Sequence, residues 1–358
     1  MRVAIIGGGV IGLATARLLA RRGLETYILE SGPRIAEGVT SRNSGVIHSP
    51  INYARGSLKA SLCLRGRELL YSWCAEAGVP HRQVGKLIVA TNPAEEKELE
   101  KIGRAATENG ATEVRLVTKQ ELTMLEPLSG GTSALYSPRT GIIDAYEFSK
   151  SFLLDAEQHG ATLMTRAKIT GANHRNDSFE LQTSLGPIEV DWVINSAGLH
   201  ADEIATLGGA GSYKVYPWRG DYFTFRPGAG RAFQQLIYPV KMKSDAGLGV
   251  HLTIDLQGRY RLGPDVELVT DKNDFTPREE KKEKFLTAAR KLFPWATADM
   301  LHYDTCGIRP KLRGPADKEE RDFVISEDRP QWINLVGMES PGLTASMAIA
   351  ERAVALID

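Results

Sequence analysis

The stretch Val3-Ala-Ile-Ile-Gly-Gly-Gly-Val-Ile-Gly12 decides the fold of this chain. Its first four residues form a short apolar run, which is typical of a strand buried on both faces of a parallel sheet. From residue 10 to 22 the apolar positions recur at helical spacing, and Gly23 stands where such a helix ends. The sequence therefore predicts a strand, a glycine turn and a helix as its first unit.

Three glycines of this stretch have separate physical roles. Gly7 permits a tight turn, Gly9 lets a pyrophosphate approach the backbone, and Gly12 lets the helix pack closely on the strand. The helix N-terminus offers free N–H groups and a partial positive charge to phosphates. Residues 25–30 predict a second strand, and Glu30 at its end can accept hydrogen bonds from an adenosine ribose. The pattern predicts a dinucleotide-binding unit without separating NAD from FAD.

Composition and charge exclude several classes of protein. The chain has 358 residues with 44 Lys plus Arg and 44 Asp plus Glu, so its formal net charge is zero. This balance lacks the basic excess of a nucleic-acid-binding surface, and the length suggests two domains. No segment has the long uncharged apolar run of a membrane helix. We therefore expect no nucleic-acid partner, while a peripheral contact with the inner membrane stays open.

The cysteines also limit the chemistry. Cys63, Cys74 and Cys306 are odd in number and include no C-x-x-C pair. This pattern argues against a disulfide framework and against a structural zinc site. We expect no bound metal and a reducing, cytoplasmic location.

The order of predicted elements indicates two discontinuous domains. A last short strand at 333–336 and a helix at about 342–357 complete the dinucleotide-binding unit only at the C-terminus, and a sheet-rich stretch is inserted before them. We predict an α/β fold with a Rossmann-like parallel sheet and an α+β second domain that holds a mixed or antiparallel sheet. Because NAD dehydrogenases usually complete this unit contiguously, the split favours FAD. The predicted bounds are 1–80, 141–205 and 300–358 for the FAD-binding domain, and 81–140 and 206–299 for the substrate domain.

Motifs along nearly the whole chain carry a family resemblance. They are Ser41-Arg-Asn-Ser-Gly-Val-Ile-His48, Gly56-Ser-Leu-Lys-Ala60, Gly85-Lys-Leu-Ile-Val-Ala90, Thr140-Gly-Ile-Ile-Asp144, Arg219-Gly-Asp-Tyr222, Leu236-Ile-Tyr-Pro-Val240, Leu248-Gly-Val-His251 and Leu262-Gly-Pro264. The chain resembles the D-amino-acid-oxidase-type FAD-dependent oxidoreductases, which include glycine and sarcosine oxidases. Within that superfamily it is most similar to the L-2-hydroxyglutarate dehydrogenase/oxidase subfamily.

The resemblance implies noncovalent FAD and oxidation of a small L-2-hydroxy acid to the 2-oxo acid, with hydride passing to flavin N5. The alternative is an amino-acid or N-methyl-amine oxidase. Three segments depart from the eukaryotic pattern of the subfamily, at residues 51–54, 310–313 and 338–344. They lie near the expected site and therefore bear on substrate identity. Oxygen, a quinone and an electron-transfer protein stay open as electron acceptors.

Oxidation of an alcohol beside a carboxylate needs a base and a cation. Histidine suits the first role because its pKa lies near neutrality. Because both lie in motifs that carry the resemblance, the resemblance implies His251 as the base and His48 as a substrate or flavin contact, and the two roles could be exchanged. Arginine suits the second role because its planar fork binds a carboxylate through two hydrogen bonds. Arg309 is the predicted carboxylate clamp.

Further residues are predicted on weaker grounds. Tyr53 and Tyr238 could place hydroxyls in the pocket or only pack, and Arg219 could contact substrate or be structural. Lys311 and Arg313 could bind a second carboxylate or be ordinary exposed charges. Cys306 could link covalently to flavin, although a buried inert thiol is the expected state.

The cofactor-binding residues are predicted from the glycine turn, from the motifs above and from the last helix. Ser340-Pro-Gly342 opens that helix, so its N–H groups would face the flavin and stabilise negative charge on the reduced ring. Lys168, on a strand, could contact adenine through backbone groups. The full predicted set is Gly7, Gly9, Gly12, Glu30, Ser31, Ser41, Arg42, Asn43, Ile169, Ala197, Gly198, Gly342, Leu343 and Thr344.

Overall fold

A computed structural model describes residues 1–175, 177–242 and 249–357. Its α-helices are Val10–Arg21 (α1), Leu58–Ala77 (α2), Pro93–Glu108 (α3), Lys119–Leu125 (α4), Ala145–Gln158 (α5), Ala201–Leu207 (α6), Lys282–Leu292 (α7) and Gly342–Val354 (α8). The strands of its first half are Arg2–Ile6 (β1), Glu25–Leu29 (β2), Val46–Ile47 (β3), His81–Gln83 (β4), Lys86–Ala90 (β5), Arg115–Thr118 (β6), Ser133–Ser137 (β7), Gly141–Ile143 (β8), Thr162–Met164 (β9) and Ile169–Arg175 (β10). The remaining strands are Ser178–Thr183 (β11), Gly186–Val190 (β12), Trp192–Asn195 (β13), Tyr216–Phe225 (β14), Leu236–Pro239 (β15), Leu252–Ile254 (β16), Tyr260–Leu262 (β17), Glu267–Leu268 (β18), Leu301–Lys311 (β19), Val324–Arg329 (β20) and Trp332–Val336 (β21).

The first sheet has six strands in the order β20-β21-β13-β1-β2-β9. Strand β1 lies at its centre and pairs in parallel with β2 and β13, while β20 is an antiparallel edge strand. Val3, Ala4 and Ile5 of β1 are fully buried because α1, α5 and α8 cover one face of the sheet and β10–β12 lie towards the other. This is the predicted parallel sheet, completed by a strand and a helix from the C-terminus.

The glycine turn after β1 has the predicted geometry. Gly7 has a φ of 110°, a conformation that residues with a Cβ rarely adopt. A Cβ on Gly12 would overlap the Gly7 carbonyl oxygen and would lie 2.6 Å from Ser196 Oγ. The turn therefore needs glycine at both positions, and it brings the start of α1 to the carboxyl edge of the sheet.

The second sheet has nine strands and is mixed, as predicted. Its order is β18-β14-β17-β16-β15-β5-β7-β6, with β19 paired to β14. Strands β15 and β5 run parallel, and the other pairings described are antiparallel. A small sheet of β3, β8 and β4 joins segments expected in different domains. Leu248, the first residue of the motif Leu248-Gly-Val-His251, lies outside the described residues.

Strand β19 does not fit the predicted boundary at residue 300. It was expected in the first domain, but it pairs antiparallel along the whole of β14 in the second sheet. Its apolar and polar residues alternate only partly, and the pairing partner lies far away in the sequence, so no local signal indicated this position. The division into two domains otherwise stays a prediction. Among the described residues, no helix is both long and apolar enough to cross a bilayer.

Candidate active site

One large cleft of about 1050 Å³ is lined by residues of both main sheets. It extends from the glycine turn after β1 to side chains of β5, β15 and β19. Most of the predicted site residues line it, namely Gly7, Gly9, Glu30, Ser31, Arg42, Asn43, His48, Tyr53, Lys168, Ile169, Ala197, Gly198, Tyr238, His251, Arg309, Lys311, Gly342 and Leu343. Residues that are far apart in sequence therefore meet at one site.

The first end of the cleft suits a dinucleotide. Helix α1 begins there after Gly9, with the Val10 N–H donating to Thr40 Oγ1 at 3.1 Å and with no acidic residue in its first turn. Two backbone N–H groups hold the carboxylate of Glu30, from Gly8 at 2.8 Å and from Gly32 at 2.6 Å. The positive end of α1 and a fixed carboxylate thus line one cavity wall, which matches the needs of a pyrophosphate and a ribose.

The middle of the cleft also suits an extended cofactor. Arg42 and Asn43 line it after a short 3₁₀-helix, and Gly307 of β19 packs against the Arg42 carbonyl so closely that any Cβ would overlap it. Gly342 lines the cleft at the start of α8, with no side-chain cap on that helix. Glycine at each of the two helix starts, Gly9 and Gly342, leaves room for an extended ligand with a planar ring system. The residues present fit FAD.

His251 lies at the far end of the cleft and is 5% exposed. Its Nδ1 lies 2.9 Å from the Gly249 carbonyl oxygen, which can only accept, so Nδ1 carries the proton and Nε2 is left with a lone pair. Its ring stacks on Tyr238 at a centroid distance of 3.8 Å. Burial lowers the pKa of His251 to about 3, and the charges of Arg309 and Lys86 act in the same direction. The ring is therefore neutral and can accept a proton.

His48 lines the same part of the cleft just after β3. Its backbone N–H donates to Thr344 Oγ1 at 2.9 Å, and its ring Nε2 lies 3.5 Å from Ser340 Oγ. Burial lowers the pKa of His48 to about 3, with smaller contributions from Lys86 and His251. A second neutral histidine therefore lies beside the start of α8.

The cation predicted to clamp a carboxylate also faces the cleft. Arg309 lies on β19, and its Nη1 donates to the Asp265 carbonyl at 3.3 Å. Within the described part of the chain it has no carboxylate partner. Tyr53 and Tyr238 line the cleft nearby, and burial raises the pKa of both hydroxyls, so both stay protonated. This arrangement leaves the guanidinium of Arg309 available to an anion.

Arg219 was predicted as a substrate contact, and the structure places it elsewhere. Its side chain is fully buried and bonds Asp221 at 2.6 Å and the carbonyls of Asp274 and Thr276 at 2.6 and 2.5 Å. The guanidinium donates its hydrogen bonds to these partners, and Arg219 is not among the residues that line the described part of the cleft. The position is structural.

Four other predicted residues do not line the described part of the cleft. Gly12 packs α1 on β1, and the hydroxyl of Ser41 donates to the Glu37 carbonyl at 2.9 Å. Thr344 is fully buried and positions His48 through the hydrogen bond above. Cys306 is buried beside Tyr303 and Arg219, so a covalent link between its thiol and a cofactor in the cleft does not fit this geometry.

The two basic residues predicted for a second carboxylate already have acidic partners. Lys311 lines the cleft, but its amine lies 2.8 Å from Glu320 and 3.6 Å from Glu339. Arg313 pairs with Glu320 at 2.9 Å and is not among the described lining residues. Neither cation is free for a ligand in this arrangement.

Sequence reasoning did not assign a role to three buried charged residues that line the described part of the cleft: Lys59, Lys86 and Glu339. Lys59 and Glu339 form a buried ion pair at 2.7 Å. Lys86 begins β5, in which every residue is buried, and is itself 2% exposed. A lysine at the start of an otherwise apolar strand was the sequence signal that could have identified Lys86, since an ammonium is rarely buried without a partner of opposite charge.

Comparison with known proteins agrees with this geometry. The model of the family "FAD dependent oxidoreductase" matches residues 2–356, and the chain belongs to that family. It is an oxidoreductase with FAD as cofactor.

Curated relatives narrow the similarity further. The chain is 35% identical to the mitochondrial L-2-hydroxyglutarate dehydrogenase of Arabidopsis thaliana, over 97% of this chain and 81% of the relative. It is 32% identical to the protein of the same name from Dictyostelium discoideum, over 99% of this chain and 92% of the relative. The predicted superfamily and the similarity to this subfamily are therefore confirmed.

Solved structures share the fold. The FAD-bound L-α-glycerophosphate oxidase of Mycoplasma pneumoniae matches with a TM-score of 0.91 and 27% identity, covering 99% of this chain and 94% of that chain. A glycine oxidase from Bacillus cereus matches with a TM-score of 0.82 and 21% identity, covering 99% and 96%. The second similarity concerns the fold alone. The predicted fold class is confirmed.

Proposed function

We propose that this protein oxidises a short L-2-hydroxy acid of the 2-hydroxyglutarate type to the corresponding 2-oxo acid. One observation carries the proposal: two neutral histidines and a guanidinium that has no carboxylate partner among the described residues face the same end of a cleft whose other end suits a dinucleotide. The relatives named L-2-hydroxyglutarate dehydrogenase support the choice of a hydroxyl rather than an amine as the donor group.

Each protein group has a defined task in this reaction. FAD, when bound, accepts the hydride from the carbon that carries the hydroxyl. Arg309 binds the adjacent carboxylate through two parallel hydrogen bonds and so orients that carbon. Nε2 of His251 accepts the hydroxyl proton, because the Gly249 carbonyl holds the other ring nitrogen as a donor. His48, beside Ser340, is the predicted second contact.

The cofactor would be held by groups already described. The N-terminus of α1 and Glu30 face its adenosine diphosphate part, and Ala197 and Gly198 line the cleft beside them. Arg42, Asn43 and the start of α8 at Gly342 line the part of the cleft nearer the histidines. The uncapped N-terminus of α8 supplies a partial positive charge there.

The proposal is tested by anaerobic mixing of the FAD-loaded protein with a panel of hydroxy and amino acids. We expect L-2-hydroxyglutarate to bleach the flavin band with formation of a 2-oxo acid and no ammonia. Bleaching by amino acids alone, with release of ammonia, would establish the amine oxidase instead. A protein that stays oxidised with every compound would refute both.

The assignment of the base is tested on the same reaction. His251→Ala should slow flavin bleaching by about 10²-fold or more, because a positioned general base contributes about that factor. The bound flavin should be unchanged, since His251 lies away from the glycine turn. His48→Ala is the matched variant, and a slower reaction in it than in His251→Ala would exchange the two roles.

The electron acceptor and the location belong to the same proposal. We propose that oxygen, a quinone or an electron-transfer protein reoxidises the flavin, and that the protein is cytoplasmic, with peripheral membrane contact left to experiment. Stopped-flow reoxidation by air and by a soluble quinone separates the first two classes. Fractionation of the source cells tests the location, because the named relatives are mitochondrial proteins.

A further inference from the structure

Lys86 is a buried cation that the mechanism above does not use. It begins β5, is 2% exposed and lines the cleft. Its Nζ lies 5.0 Å from the ring centroid of Tyr238. Within residues 1–175, 177–242 and 249–357 this amine makes no hydrogen bond or ion pair. An ammonium in such a place costs free energy that an arriving anion would offset.

Three other lysines of the cleft differ from Lys86 because they already have carboxylates, while Lys168 is exposed and Lys241 is half-buried. Lys59 bonds Glu339 at 2.7 Å, and Lys311 lies between Glu320 and Glu339. Lys272 lies 2.9 Å from Asp202 and 2.7 Å from Glu203. Among the described lining residues, Lys86 is thus the buried lysine without an acidic partner.

Arg309 is another cleft cation that has no carboxylate partner among the described residues, and it lines the same cleft as Lys86 and His251. Arg309 and Lys86 line the cleft together with His251, and the charge of each lowers the pKa of His251. Tyr238 links the group, since its ring stacks on His251 and also lies beside the Lys86 amine. Two separate anion-binding points therefore flank one candidate base.

We propose that Lys86 determines specificity for a dicarboxylate: Arg309 binds the carboxylate next to the reacting carbon, and Lys86 binds the distal carboxylate of the same substrate. This inference rests on the proposed function for the orientation of the substrate. It assigns the second carboxylate to Lys86 rather than to Lys311, whose amine already lies 2.8 Å from Glu320 and 3.6 Å from Glu339.

The test uses two ligands that cannot reduce the flavin and that differ in one carboxylate. Glutarate and pentanoate are titrated into the oxidised, FAD-loaded protein, and binding is followed by the change in flavin absorbance and by calorimetry. We expect the wild type to bind glutarate at least about tenfold more tightly, because one charge-assisted hydrogen bond to a buried lysine has that order of effect.

Variants of single lysines identify the residue responsible. Lys86→Met should weaken glutarate binding by about 10- to 100-fold and leave pentanoate within about twofold, while Lys86→Arg should keep the preference. Lys119→Met removes a charge from an exposed position on α4 and is the control for net charge. Loss of the preference in Lys311→Met but not in Lys86→Met would overturn the assignment.

Two further outcomes separate this inference from the proposed function. Equal weakening of both ligands by Lys86→Met would mean a purely structural role and would overturn the inference, as would a wild type that binds the two ligands equally. If L-2-hydroxyglutarate still bleaches the flavin in that case, the proposed function stands alone. If glutarate is preferred through Lys86 but no hydroxy acid bleaches the flavin, the dicarboxylate site stands and the proposed reaction fails.

Discussion

Two buried basic residues of the second sheet, Arg219 and Lys86, have opposite surroundings. Both side chains are almost fully excluded from solvent, with exposures of 0% and 2%. Arg219 donates to the carboxylate of Asp221 and to two backbone carbonyls, so its charge is fully used. Lys86 faces the cleft, and its amine contacts only the face of the Tyr238 ring at 5.0 Å in the described part of the chain. A buried charge marks a ligand site only where its partners are missing.

The difference comes from what surrounds each residue rather than from the residue itself. The carboxylate of Asp221 also accepts from Lys281 at 2.5 Å and from Tyr303 at 3.0 Å, so several elements complete one network. Burial alone raises the pKa of Asp221, but the hydrogen bonds from Arg219 and Lys281 outweigh it and leave the pKa below its ordinary value. Around Lys86 no acidic side chain of residues 1–175, 177–242 or 249–357 plays this part, and its described neighbours include two neutral histidine rings and a thiol.

The largest expected effect follows from breaking the complete network. Arg219→Met should lower the free energy of unfolding by about 3–5 kcal/mol, because it leaves a buried carboxylate and two carbonyls without their donor. Urea unfolding of the FAD-loaded protein at neutral pH measures this. A loss below about 1 kcal/mol would show that Lys281 and Tyr303 alone satisfy Asp221, and that the network is not the reason for burying Arg219.

The opposite sign is expected for Lys86. Lys86→Met should raise the free energy of unfolding by about 1–3 kcal/mol at pH 7, because it removes a buried charge that has no acidic partner in the part of the chain that the structure describes. Burial lowers the pKa of Lys86 from 10.5 to about 8, so the folded protein binds fewer protons than the unfolded chain between these values. Wild-type stability should therefore rise with pH across that interval, and the variant should lack this rise. A destabilised variant would contradict the absence of a partner.

The pH dependence of glutarate binding should follow the same titration of Lys86, with a smaller effect on the free energy. Glutarate requires protonated Lys86, so its Kd should increase by up to about tenfold per pH unit above about pH 8. The titratable groups around the amine do not change charge there. Burial lowers the pKa of His48 and of His251 to about 3 and raises the pKa of the Cys63 thiol to about 12. Burial also raises the pKa of Tyr53 and of Tyr238.

A matched variant checks that the pH dependence belongs to Lys86. Lys86→Arg keeps a charge that does not titrate in this range, so its glutarate Kd should stay constant up to about pH 9. Persistence of the alkaline weakening in Lys86→Arg would assign the titration to another group. Calorimetric titration at several pH values provides the measurement.

The comparison also explains how much the sequence could predict. The glycine turn was predictable because its requirements are local: Gly7, Gly9 and Gly12 serve a turn and a helix start within a few residues. The histidines and Arg309 were predictable because their side-chain chemistry suits the reaction and their motifs resemble a known family. The structure brings these residues to one cleft.

The remainder depends on pairings between distant segments. Arg219 was predicted as a substrate contact because nothing near it in sequence shows that Asp274 and Thr276 would occupy its guanidinium. Strand β19 was assigned to the other domain for the same reason, since its partner β14 lies about eighty residues earlier. The candidate ligand-binding role of Lys86 depends on the lack of an acidic partner among the described residues. A sequence does not show which side chains will surround a buried residue.

The smallest effect is expected at an exposed member of the same ionic network. Lys284 bonds Asp265 at 2.8 Å but its side chain is 57% exposed, and Lys281 also contacts that carboxylate at 3.1 Å. Because solvent screens an exposed pair and a second lysine remains, Lys284→Met should change the free energy of unfolding by less than about 1 kcal/mol. Its glutarate Kd should equal that of the wild type. A loss of unfolding free energy comparable with that of Arg219→Met would show that the network stabilises the fold through its exposed residues. The difference between Arg219, whose guanidinium has partners, and Lys86 would then need another explanation.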